Sequence, residues 1–76
     1  MNIDELISQK SNTLIGQKLV QLLTSIWNDK EFILGILADL KNDNDKQKMI
    51  DALENGLDDT DTITLLALDI ADGLEI

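Results

Sequence analysis

The chain has 76 residues, of which 43% are hydrophobic, with 15 Asp and Glu set against six Lys for a formal net charge of -9. It contains no Cys, His, Tyr, Pro or Arg. These absences exclude a disulfide, a thiol nucleophile, imidazole acid-base chemistry, a Cys/His zinc site and guanidinium forks to phosphate or guanine.

A chain of this length makes one domain, too small to surround a deep substrate pocket with supporting residues. Fourteen Leu and ten Ile, with Trp27 and Phe32 as the two aromatics, give an aliphatic composition that disordered chains lack. The charge is uneven. Residues Met49 to Ile76 hold eight acids and no basic side chain, while the first 48 residues hold six Lys and seven acids.

Apolar residues recur at spacings of three and four, and no stretch alternates with period two, so the expected fold is all-α, a single-domain bundle of four to five short helices. A short element around Ile3, Leu6 and Ile7 comes first. Ser11-Asn12-Thr13 is the expected break after it, one long helix being the alternative. Thr13 to Trp27 then places Ile15, Leu19, Leu22, Leu23 and Ile26 on one stripe.

Asn28-Asp29-Lys30-Glu31 has the form of a capping box, with Asn28 as the cap and Glu31 reaching back to it. The helix it predicts, Asp29 to Leu40, turns Phe32, Ile33, Ile36, Leu37 and Leu40 inward. Lys41-Asn42-Asp43-Asn44 reads as a chain reversal, followed by a helix from Asp45 to Asn55 carrying Met49, Ala52 and Leu53, with Leu57 just beyond. Asn44-Asp45-Lys46-Gln47 echoes Asn28-Asp29-Lys30-Glu31 sixteen residues on, which reads as one capping solution used again. Asn55-Gly56-Leu57 predicts a Schellman stop with Gly56 at positive φ.

Asp58, Asp59 and Asp61 open the last helix, Thr60 to about Leu74, where first-turn carboxylates meet free amides and the positive end of the helix dipole. Ile63, Leu66, Ala67, Ile70 and Leu74 form its core stripe. Leu65 and Leu68 fall on the opposite side, framed by Asp61, Asp69, Asp72 and Glu75. A helix with two apolar faces is either central in the bundle or carries a docking surface, and both readings stand at this level.

Asp43, Asp45, Gln47, Asp51 and Glu54 occupy positions 1, 3, 5, 9 and 12 of an EF-hand loop, with Ile50 at position 8. Lys48 stands where that loop needs Gly, and Lys46 and Lys48 crowd a cation, so the segment reads as an amphipathic helix and no metal site is expected. The stretch from Asp58 to Leu65 resembles the start of the second helix of acyl carrier proteins, small acidic four-helix proteins whose Asp-Ser-Leu motif carries phosphopantetheine. Here Asp59 stands in place of the modified Ser, and Ser8, Ser11 and Ser25 lie far upstream. The resemblance covers about eight residues and supplies no attachment hydroxyl, so no cofactor is expected.

Every Lys is expected on a polar helix face or in a loop, which leaves no desolvated nucleophile, and Lys41, Lys46 and Lys48 are interleaved with Asp43 and Asp45 rather than forming a phosphate-binding patch. The N-terminal segment is acidic and the longest apolar run, Phe32 to Ala38, is seven residues. A cytoplasmic, non-enzymatic protein without membrane or direct nucleic-acid contact is therefore expected. Lys as the sole cation, with abundant Ile, Asn and Asp, fits an AT-rich coding sequence of a low-GC bacterium or phage. The expected function is binding of a protein with a basic or apolar surface, through Asp61, Leu65, Leu68, Asp69, Asp72 and Glu75. The alternatives are an immunity, antitoxin or phage-type inhibitor whose carboxylates mimic nucleic-acid charge, and a homodimeric structural subunit.

Overall fold

Five polar side chains set where the helices begin. In the computed structural model, which describes residues 2–73, these helices are α1 (Ile3–Lys10), α2 (Leu14–Ile26), α3 (Lys30–Asp39), α4 (Asp43–Glu54) and α5 (Thr60–Asp72). Asn2, Thr13, Asp29, Asn42 and Asp59 each accept a hydrogen bond from the amide three residues on. Each cap satisfies one of the donors that a helix start leaves free. No strand occurs among the described residues, and the bundle is all-α.

Two of the expected helix starts shift. Asp29, not Asn28, caps α3, so Glu31 falls one position too early to close a capping box. Likewise α4 begins at Asp43 behind Asn42, whose side-chain amide also donates to the Asp45 carboxylate at 3.1 Å. Asn44 therefore lies inside α4, and the sixteen-residue echo marks a cap at one occurrence and a helix interior at the other.

The break between α1 and α2 falls at Ser11 to Thr13. Ser11, buried, turns its hydroxyl back to the Ile7 carbonyl at 2.6 Å, and Thr13 starts the next helix. Further along the chain α4 closes as a Schellman turn: Leu57 N donates to the Ala52 carbonyl and Gly56 N to the Leu53 carbonyl, both at 3.1 Å, with Gly56 at φ 102°. Leu57 folds back against the core.

α1 lies against α3, α2 against both α3 and α4, and α5 against both α3 and α4. Leu19, Leu23, Leu40, Met49, Ile50 and Ile63 are fully buried where these helices meet, with Ile33, Ile36, Leu37, Leu53, Ala67 and Ile70 closing around them. Phe32 is only partly buried and stacks edge-on with Trp27, ring centroids 5.4 Å apart. Ile26, expected in the α2 stripe, is 40% exposed in the last turn of α2, while Trp27 just beyond it packs against the core.

One cation is inside. Lys46, expected on a polar face, is 5% exposed. Its ammonium donates to the Lys10 carbonyl at the end of α1, at 3.2 Å, and lies 3.9 Å from Asp43. Asp43 in turn accepts from the Thr13 hydroxyl at 2.9 Å. A polar junction thus ties the α1–α2 turn to the start of α4, and no buried side-chain N or O among the described residues lacks a partner. Exposed ion pairs, Lys30 with Asp4 and Lys18 with Glu54, add ties worth less than about 1 kcal/mol each.

Two glycines in helices respond oppositely to a methyl group. A Cβ on Gly16 would sit 2.9 Å from the Ser11 Cα, in the backbone of the junction, whereas a Cβ on Gly35 meets nothing within 4 Å. Gly16→Ala is expected to destabilise by about 1–3 kcal/mol through overpacking. Gly35→Ala is expected to stabilise by about 0.5–1 kcal/mol through helix propensity. Urea unfolding of both variants checks this; equal shifts of one sign would show that the α1–α2 turn yields freely.

Candidate functional site

α5 is positioned by its inward stripe. Ile63 and Ala67 are fully buried and Ile70 nearly so, and this stripe seats the helix on the core between α3 and α4. At 100° per residue, whatever lies two residues from Ile63 or Ile70 faces away from that seat. Leu65 and Leu68 do so, and they are 63% and 44% exposed. The bundle does not cover the second apolar face of α5.

Asp61, Asp69 and Asp72 are exposed with them. Asp61, Leu65, Leu68 and Asp72 follow one another at spacings of four, three and four, so they run in a single file along the outer side, about 16 Å from end to end. Asp69 sits one turn beyond Leu65 at the edge of the file. Glu75 and Leu74 lie outside the described residues. α5 ends at Asp72, with Gly73 at φ 73° taking the left-handed cap.

The acids at the two ends of α5 have different physical standing. Asp59 is the N-cap, accepting from the Thr62 hydroxyl at 2.6 Å and from the Thr62 amide at 2.9 Å. The Thr62 hydroxyl first, then its amide, hold the Asp59 carboxyl below the usual range. Asp59 thus does structural work at the position where the acyl carrier protein motif would need a Ser. Asp61, in the first turn, is likewise favoured by the helix dipole. Asp69 and Asp72 occupy the last turn, facing the negative end of that dipole with no basic residue in the turn to offset them. They oppose the helix by roughly 0.3–1 kcal/mol each. α4 also ends on an acid, Glu54, but Lys18 pairs with it.

Other apolar exposure is isolated. Leu14, 83% exposed, shares its side of α2 with Lys18, Gln21 and Ser25, and single exposed aliphatics are common on protein surfaces. The periodicity contained that signal, since Leu14 falls off the α2 stripe, but the sequence reading gave it no place. Asp43 to Glu54 form one continuous helix in which Asp43 is engaged by Thr13 and Asp51 by Gln47. Those carboxylates are strung along about 16 Å of α4 instead of wrapping a cation. No group of three or more Asp or Glu arranged for a metal ion occurs among the described residues. No helix there is long and apolar enough to cross a membrane.

Compared with protein families, with curated proteins and with solved structures, the chain matches none.

Truncation separates the two faces of α5. Ile63→Ala is expected to cost about 2–5 kcal/mol and Leu65→Ala about 0.5 kcal/mol or less. Asp72→Asn is expected to raise stability slightly. Chemical denaturation checks all three, and a loss at Leu65 as large as that at Ile63 would mean the outer face is packed.

Proposed function

We propose that this protein is a non-enzymatic interaction module that binds a protein partner through the acid-rimmed leucine face of α5. The observation that carries the reading is the pairing of Leu65 and Leu68, adjacent on one helix face, 63% and 44% exposed, and flanked by exposed Asp61, Asp69 and Asp72. An apolar centre with a charged rim is the layout of protein-binding surfaces, where the apolar side chains anchor and the rim selects the partner and speeds encounter. Glu75 extends the acid of the rim in sequence. The reading takes the protein as cytoplasmic and of bacterial or phage origin.

The leucine pair favours this module over a nucleic-acid mimic. A surface that stands in for a phosphate backbone has use for carboxylates but none for two leucines at its centre. The last-turn acids support the same view, because α5 would be more stable without Asp69 and Asp72.

Capture from an extract of the source cells tests it, with three immobilised forms: the unmodified protein, Leu65→Ala/Leu68→Ala, and Asp61→Asn/Asp69→Asn/Asp72→Asn/Glu75→Gln. The expected result is a partner retained by the unmodified protein, lost from the leucine variant, and bound more slowly by the neutralised one, with release at about 0.5 M salt. The same proteins held by all three forms at either salt would contradict the proposal.

A further inference from the structure

Resting on that binding reading, we infer that the occupant of the α5 face is a cationic amphipathic helix with two Lys or Arg eleven residues apart bracketing a pair of aliphatic side chains. The inference comes from the order Asp61, Leu65, Leu68, Asp72. Four exposed side chains in single file make a seam one helix wide, the contact that two helices keep when they cross at about 20°. A second helix at that angle can set its own side chains between these four along the seam.

The spacing four, three, four reads the same in both directions. A partner helix bearing the complementary pattern therefore meets α5 in register whether it runs parallel or antiparallel. A second copy of α5 also satisfies the steric pattern, leucine on leucine, but it brings Asp61 and Asp72 of one copy against Asp72 and Asp61 of the other. Nothing on either helix offsets this, because the chain carries no basic residue from Met49 onward. Shape admits either helix and charge selects the cationic one. An anionic lipid surface and a nucleic acid meet the same repulsion.

Two synthetic helical peptides of about 18 residues test this, each capped at both ends and of identical composition. One carries Lys, Leu, Leu, Lys at spacings of four, three and four on one face; in the other the two Lys are moved to the opposite face. Binding is followed by amide chemical shifts of the isotope-labelled protein and by anisotropy of labelled peptide. The matched peptide is expected to bind at least tenfold more tightly than the control at low salt, to shift α5 amides, and to lose that advantage with Asp61→Asn/Asp72→Asn. Equal binding of both peptides, abolished by Leu65→Ala/Leu68→Ala, would leave the α5 face as a binding surface and overturn the charge bracket. Failure of the matched peptide to bind, or shifts located away from α5, would overturn the cationic-helix occupant itself, while a partner captured in a leucine-dependent way would keep the broader reading alive.

Discussion

Burial of aliphatic side chains where α2, α3, α4 and α5 meet is the interaction on which the rest of this molecule depends. Helices of 8 to 13 residues, the range found here, are marginal alone in water. They persist because Leu19, Leu23, Leu40, Met49, Ile50 and Ile63 remove one another from solvent completely. That demand fixes the rotation of each helix about its axis. Once Ile63, Ala67 and Ile70 are committed inward, helical geometry leaves Leu65 and Leu68 outward. The exposed leucine face is therefore a consequence of the core and is held on a rigid element rather than a loop.

The polar side of the fold is concentrated at one place. Lys46 reaches the last carbonyl of α1, Asp43 takes the Thr13 hydroxyl, and Ser11 closes on Ile7. α1 has no buried residue of its own, so its attachment rests on partly buried contacts with α3 and on this junction. A buried ammonium with a carbonyl and a carboxylate for partners is costly to break and specific in what it accepts. It fixes how the α1–α2 turn meets α4.

Much of this was legible in the sequence because it is local. The three-and-four spacing gave the all-α class and Asn55-Gly56-Leu57 the Schellman turn, each set by neighbouring residues, while Ser11 to Thr13 marked a break that left one long helix open. The misses were decided at longer range. Asn28 and Asp29 are both competent caps, and their types alone do not say which one the chain uses. Lys46 looked like a solvated charge because its partner, the Lys10 carbonyl, lies 36 residues away. At the candidate site, periodicity showed two apolar faces on α5 but held no information on which neighbours cover them. Leu65 and Leu68 became a surface only once α3 and α4 were both seen against the other side.

Charge then gives that surface a direction. The acids of the first turn stabilise α5, whereas Asp69 and Asp72 work against it, so the outer face carries more acid than the helix needs. A one-signed rim around an apolar pair repels its own copy and favours a cationic partner. The most direct test of an open, heterotypic face is the molar mass in solution, by light scattering on a sizing column across a tenfold concentration range at moderate salt. The expected result is a monomer of 8.5 kDa at every concentration. A stable species of twice that mass, returned to monomer by Leu65→Ala/Leu68→Ala, would show that the face is closed by self-association and contradict a free docking surface.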